Sequence, residues 1–515
     1  MRSLSRRIIW VIVIIVPLAI YILMAYRTDR SEWYAEHDPI QTLSFLPGSG
    51  THGITPNQDD ADHYTVYLSS ECGRSPCIDL KHAYSVQIGT RIYHDGDALD
   101  MVNSGKDMDL EIRDRRGYSI VSGTIVFYFA SDLPSMYIDT DSGSMDAVDY
   151  DYYHYTSDGA ILSAVDESGS EISVRCDIRG RGNTTWMLMD KKPYVIECDS
   201  STSFYGMSAQ KKWCLLANAY DGSQMRNWIV LNTARRMDMP ATVDCRYVNL
   251  YLNGCYAGLY LLCQHVDMEG KVIPVTDGDL LEFMGYETPE QVYFDTGRIY
   301  VVVKSPRHPT EDDLGRIVTY VNDTEDLIYS GTNDEYLDRI DLDSWTSMYL
   351  LQDFYANQDT DMYSNYMYLD HDSDRLISGP PWDYDVTMGI SRESRIWESC
   401  EMDWLASHPV SFGPATGDHV GGWLYGLHEY HDSFSKEADR KYRELMEPLV
   451  KDMLENDIPQ MYERIYPSAC MDRVLYPEEY RVEYDQGLDN EYEYLCDWLR
   501  ARMEWYGHKT ENVSD

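Results

Sequence analysis

The sequence predicts an α+β chain: a small β-rich domain, then a larger body that begins in strands and ends in helices, all behind an N-terminal transmembrane helix. Three observations lead there. An uncharged apolar run fills residues 8–26, alternating runs broken by Gly, Asp and Asn dominate to residue 264, and helical periods dominate after Asp341. The 515 residues suit two to three domains at the usual ~150 residues each. Hydrophobic residues make up 43% and aromatics 13%, enough apolar surface for packed cores, which excludes global disorder. The formal charge of −44 repels polyphosphate backbones and excludes general nucleic-acid binding. The 44 Tyr and 12 Trp against 9 Phe favour amphipathic rings, suited to wet grooves that hold polar ligands.

The run at 8–26 spans about 28 Å as a helix, enough for a hydrocarbon core of ~30 Å. It exceeds the apolar length of a signal peptide and lacks a clear small-x-small cleavage site at its end, so an uncleaved anchor is expected. Arg2, Arg6 and Arg7 precede it, against Arg27 and Arg30 after it, which places residues 1–7 inside and the body outside as a single-pass membrane protein. The 11 cysteines form no zinc-like pair of CxxC motifs. Cys72 and Cys77 could close a small loop in an oxidising compartment, whereas Cys198, Cys214, Cys245, Cys255 and Cys263 suit small core positions in strands.

Residues 27–60 are polar and read as a stalk, and residues 61–131 as a small β-sandwich-like domain, with strands at 64–68 and 120–129. The body, 132–515, opens with strands at 136–140, 172–178, 193–198 and 212–217. An amphipathic helix over 223–237 follows, ended before Pro240. Residues 247–252 and 256–263 flank Asn253-Gly254 and predict a hairpin with a type I′ turn. Helices are expected over 345–355, 436–456 and 491–505, with a loop-rich insertion around 391–422.

Two acidic clusters carry the chemistry. Asn357-Gln358-Asp359-Thr360-Asp361-Met362-Tyr363-Ser364-Asn365 follows a helix, and Gly379-Pro380-Pro381-Trp382-Asp383-Tyr384-Asp385 follows a hairpin-like stretch. Carboxylates on loops beside rigid strands suit Mg²⁺, which takes one or two of them plus substrate phosphates. In a chain this acidic, two solvated acidic turns are the bland alternative.

Five motifs in order resemble the CotH (spore coat protein H) kinase family over residues from about 132 to 450. They are Arg179-Gly180-Arg181-Gly182-Asn183-Thr184-Thr185-Trp186, Lys191-Lys192-Pro193-Tyr194, Lys211-Lys212-Trp213 through Asn218 with Arg226-Asn227, the 248–262 hairpin, and Pro381-Trp382-Asp383-Tyr384-Asp385. The resemblance implies an atypical protein kinase-like bilobal domain, with a β-rich N-lobe, a helical C-lobe, and ATP with Mg²⁺ or Mn²⁺ between them. It implies Asp359 as catalytic aspartate, Asn365 as metal-binding amide and Asp383 as metal aspartate, seconded by Asp385. Lys192 is the candidate for the phosphate-contacting lysine, with Lys191 its competitor and a solvated strand-edge pair the alternative to both. Arg179 and Arg181 would add positive charge beside a triphosphate. Arg226 and Asn227 face either the ligand or the join between lobes. Where the family commonly has a Glu after the hairpin this chain has Gln264, and Glu282 is the substitute expected to position the lysine.

The function so implied is a membrane-anchored kinase moving the ATP γ-phosphoryl group to Ser or Thr of a protein. Two alternatives stand beside it. One is a catalytically silent surface or adhesion scaffold with a kinase-like fold. The other is a nucleotide-sugar transferase that uses Asp359-Thr360-Asp361 and Asp383-Tyr384-Asp385 as D-x-D metal sites.

Overall fold

The structure is a computed structural model that describes residues 39–47, 51–73, 75–100, 103–330, 334–360, 363–392, 394–407, 422–477, 479 and 487–512. The expected transmembrane segment at 8–26 lies outside these residues, and among those described no helix is long and apolar enough to cross a membrane. The chain divides into two compact units: residues 1–129 with 254–256, and residues 130–253 with 257–515.

The first unit is built on a six-stranded sheet in the order Asn57–Asp60, His63–Leu68, Ser119–Phe129, Met108–Arg113, Ser85–Ile88, Arg91–Tyr93. Val66, Ile112 and Phe127 are fully buried at its centre. The stretch expected to be a stalk differs from Pro39 on. Leu43–Leu46 pairs with Cys77–Leu80, and Phe45 packs edge-on against Phe127 with centroids 5.2 Å apart. Three apolar residues in the six from Ile40 to Phe45 would be a liability in a solvated stalk; buried, they extend the core. Cys72 and Cys77 are separate thiols, and burial pushes the Cys72 thiol up to about 12.

The second unit begins with a closed barrel of seven strands. Around it run Ser157–Val165, Glu171–Gly180, Tyr194–Thr202, Gln210–Leu216, Cys255–Gln264, Cys245–Leu252 and Ser135–Thr140. Closure leaves no edge to protect. Every sequence-predicted strand of this region is present within a few residues. Asn253 and Gly254 have φ of +50° and +82°, the pair of positive values a type I′ turn requires. Alternate residues Ile138, Leu162, Ile178, Ile196, Trp213 and Leu262 fill the interior. Gly180 is required where it stands, because a Cβ there would lie 2.4 Å from the buried Trp186 ring.

After the barrel, Gly278–Met284 becomes the centre of a five-stranded antiparallel sheet ordered Tyr293–Asp295, Tyr300–Ser305, Gly278–Met284, Asn365–Asp370, Arg375–Ser378. The helices pack on it. Leu342–Phe354 begins at Asp341, whose side chain accepts from the Ser344 N–H at 2.8 Å, and is buried on nearly all faces. The helix expected to be amphipathic, Arg226–Arg236, is likewise buried on most of its circumference, because the body surrounds it on more than one side. Helical structure continues from Asp432 to Leu475 through two π-turns, and Leu488–Asn512 follows.

These helices give one pH-dependent prediction. His428 lies flat on Tyr349, centroids 4.6 Å apart, and burial, aided by Lys509, lowers its pKa to about 4. Above pH 6.5 neither folded nor unfolded chain protonates it. As pH falls below 6.5, the unfolded chain gains a proton that the folded chain refuses until about pH 4. Stability should therefore fall by about 2–3 kcal/mol across that window. Urea unfolding of wild type and His428→Gln at pH 7 and pH 4.5 checks this: the variant should lose less on acidification.

Candidate active site

The helix Leu342–Phe354 delivers its chain into a tight turn in which the Asn357 side-chain oxygen accepts the Asp359 N–H at 3.1 Å. The Trp404 indole N–H donates to the Asn357 carbonyl at 2.7 Å and pins the turn from outside. Asp359 is thereby held 9% exposed, its carboxylate ion-paired with Arg392 at 2.9 Å. Burial raises its pKa, Arg392 works against that rise, and Asp383 adds to it.

Asp383 has φ of +68°, a left-handed conformation that a non-glycine residue keeps only where its surroundings impose it. Here the Tyr384 N–H donates to the Asn227 side chain at 2.7 Å, and the Asn227 amide donates to Asn218 at 2.9 Å. The Ser364 hydroxyl donates to Asp383 at 3.4 Å, tying the two acidic segments together. Asp385 has its pKa pushed well above the ordinary range, first by burial, then by Asp383 and Asp359. So the tertiary structure brings Asp359, Asp383 and Asp385 into one electrostatic centre. Asn365 opens the strand next to Ser364 and is 7% exposed.

Of the expected cationic residues, Arg181 reaches this centre. Its guanidinium lies 5.3 Å over the Trp382 ring and interacts electrostatically with Asp383. Arg179 donates to the Gly180 carbonyl at 3.0 Å, with burial lowering its pKa. Four of the expected residues have other partners in this structure. The Lys192 ammonium turns to the Trp186 carbonyl at 2.8 Å and over the Trp186 ring, so it braces the turn that contains Gly182. Its competitor Lys191 is fully buried, paired with Asp472 at 2.8 Å and donating to the Leu259 carbonyl at 2.7 Å. Arg226 pairs with buried Asp221 and donates to the Thr387 and Met388 carbonyls behind the Asp383–Asp385 loop, contacts that match the strut of its two expected roles. Glu282 pairs with Lys304 at 2.9 Å instead of with either expected lysine, and Gln264 accepts the Asp244 N–H at 3.0 Å within the barrel.

Sequence reasoning missed Arg392 and Lys304. Neither lies in a recognisable motif. The available signal for Arg392 was weak: an arginine seven residues after Asp385 in a chain with twice as many acids as bases.

The donor set fits a hard divalent cation. Three carboxylates share one region: Asp383 raises the pKa of Asp359, and both raise that of Asp385, which is excess negative charge that a cation would relieve. Among the described residues no three acidic, His or Cys side chains form a ready cage. Mg²⁺ needs none, since it completes its shell with phosphate oxygens and water.

The lysine assignments can be separated by stability. Lys191→Met removes the cation that balances the buried Asp472 carboxylate, leaving it hydrogen bonds such as those from Gln224 and the Leu259 N–H, and should cost about 3–5 kcal/mol, whereas the half-exposed Lys192→Met should cost under ~1 kcal/mol. Denaturant melts of the two variants measure the difference, and equal losses would contradict the assignment.

A β-barrel followed by an antiparallel sheet and helices, with acidic loops meeting after a buried helix, fits a kinase-like protein. The chain belongs to the family described as CotH kinase protein, which it matches over residues 178–506. Among solved structures it is similar to the crystal structure of a Helicobacter pylori proinflammatory kinase, CtkA, at 10% identity. That match covers 62% of this chain and 95% of that one, with a TM-score of 0.28, at which the likeness carries no argument. No curated protein matches it.

Proposed function

We propose that this chain is a metal-dependent protein kinase that transfers the γ-phosphoryl group of ATP to a Ser or Thr hydroxyl of a protein substrate. One observation carries the proposal: a buried carboxylate with a raised pKa, Asp359, is electrostatically coupled to the acidic pair Asp383 and Asp385. Asp359 orients the acceptor hydroxyl and takes its proton as the new O–P bond forms and the bond from the γ-phosphorus to the bridging oxygen breaks, releasing ADP. Its raised pKa makes it a stronger base than an ordinary aspartate. Asp383 and Asn365, seconded by Asp385, would hold Mg²⁺ or Mn²⁺, which when bound neutralises charge on the phosphate oxygens. Arg181 and Arg392 supply positive charge to the same region, and Arg392 must release Asp359 before a hydroxyl can approach it.

That last contact favours a second reading, the silent scaffold, in which the Asp359–Arg392 pair is permanent. Incubating the purified chain with ATP and Mg²⁺ or Mn²⁺, followed by mass detection of phosphoserine and phosphothreonine on the chain or on Ser-rich peptides, tests the two. Binding without transfer supports the scaffold. The nucleotide-sugar transferase loses ground, because the five-stranded sheet is antiparallel throughout and no doubly wound parallel sheet occurs among the described residues. Asp361 lies outside those residues.

The proposal extends to topology, with residues 8–26 as anchor and the body extracytoplasmic. Protease added to intact cells should remove the body. Full protection until lysis would reverse the orientation.

A further inference from the structure

Between the two halves of the acidic site lies a chain of three buried side chains. The Thr360 hydroxyl donates to the Gln352 side-chain oxygen at 2.7 Å, and the Gln352 Nε2 donates to the Asn365 Oδ1 at 2.8 Å. The Gln352 Nε2 also lies 3.7 Å from the Met348 sulfur, a weak acceptor. Gln352 is 1% exposed and Thr360 2%, so water does not compete for these groups. The relay joins Thr360, the neighbour of Asp359, to Asn365, the neighbour of the Ser364 that donates to Asp383. It ends badly: the Asn365 Nδ2 is buried with no hydrogen-bond partner among the described residues.

We infer that Gln352 is the positioning residue of the metal-binding half of the site, its amide orientation deciding whether Asn365 presents an N–H or an oxygen. The inference rests on the metal-dependent reading above. Turning both amides over keeps the two strong hydrogen bonds and gives up only the weak contact of Nε2 with the Met348 sulfur. Gln352 Nε2 then donates to the Thr360 oxygen, which as a hydroxyl serves equally as donor or acceptor, and Asn365 Nδ2 donates to Gln352 Oε1. The atom left over is now the Asn365 Oδ1, a hard oxygen ligand instead of a stranded donor. A divalent cation therefore has a reason to select the reversed relay, and the helix Leu342–Phe354 is coupled through Gln352 to the ion without touching it.

The test is titration of the purified full chain with Mn²⁺ alone, read by the loss of free Mn²⁺ paramagnetic resonance signal, with thermal melts alongside. Gln352→Met keeps the length and apolar packing but removes both hydrogen bonds, and should weaken Mn²⁺ binding by about 10- to 100-fold. Gln352→Glu can only accept from the two neighbours, which forces Asn365 to donate and to turn its oxygen outward, so it should bind at least as well as wild type. Its added charge is controlled by repeating both variants in an Asn365→Leu background. There, a residue that acts through Asn365 should lose its effect, leaving Gln352→Met within about twofold of Asn365→Leu alone. Wild-type affinity in Gln352→Met, or the same fold-loss in both backgrounds, overturns the inference while leaving the kinase reading in place. Absence of Mn²⁺ binding by wild type overturns the inference, and the phosphoryl-transfer assay then decides the kinase reading. Should Gln352→Met melt too low to titrate, Gln352→Glu decides: a loss of affinity there contradicts the relay.

Discussion

Asp359→Ala is expected to reduce phosphoryl transfer by about 10²- to 10⁴-fold while leaving ATP affinity within a few fold, the range for loss of a positioned general base. Such a residue acts on the acceptor hydroxyl mainly in the transition state, so binding and turnover should separate. The structure adds a condition. Removing the carboxylate frees Arg392 from its ion pair and removes one of the charges that raise the pKa of Asp385. The folded variant should therefore melt close to wild type, since an ion pair with the partly exposed Arg392 contributes little and the repulsion relieved offsets it. A thermal melt accompanies the rates. A large loss of stability would make Asp359 part of the turn that Asn357 and Trp404 build, and equal transfer by variant and wild type would remove it from catalysis.

Asp383→Asn should abolish metal-dependent ATP binding, because it neutralises the carboxylate assigned to the cation. Asp385→Asn should weaken it less. Burial and two neighbouring carboxylates already push Asp385 towards its protonated form, so replacing it with a neutral amide changes the charge of the site less. Titration of ATP in the presence and absence of Mg²⁺ separates the two variants, and identical curves for wild type and Asp383→Asn would refute the assignment. In the absence of metal the same substitution should not destabilise the fold through charge, since Asp383 raises the pKa of both Asp359 and Asp385. A free-state melting temperature at or above that of wild type is the expected outcome.

Local patterns made much of this legible. The barrel strands follow alternation of apolar residues, and Asn253-Gly254 specifies its own turn, because both depend on backbone preferences within a few residues. The five motifs were legible as an ordered set, and the family match over 178–506 agrees with them. The two acidic clusters could be picked out because each sits where a predicted element ends.

Other features were not legible, and they have one physical cause. The choice between Lys191 and Lys192 cannot be made from a Lys-Lys pair: Asp472, the partner that claims Lys191, lies 281 residues away, and Trp186, which claims Lys192, folds back over the turn. Arg226 looked equally suited to a ligand or a strut until Asp221 and the carbonyls of Thr387 and Met388 enclosed it. Residues 39–46 looked like stalk because their strand partner, Cys77–Leu80, was not recognised.

By itself, then, the sequence determined most of the barrel strands and several helices of the body, its acidic character, the apolar run at 8–26 and the aspartates on which a transferase would depend, but not the strands Gly278–Met284 and Tyr300–Ser305 or the helix Glu311–Ser330. The tertiary structure decided which cations face those aspartates, that Arg392 holds Asp359, and that Gln352 links Thr360 to Asn365. The reason is range: backbone propensity acts over a few residues, whereas a buried charge or amide takes whichever partner packing brings within about 3 Å, at any separation along the chain.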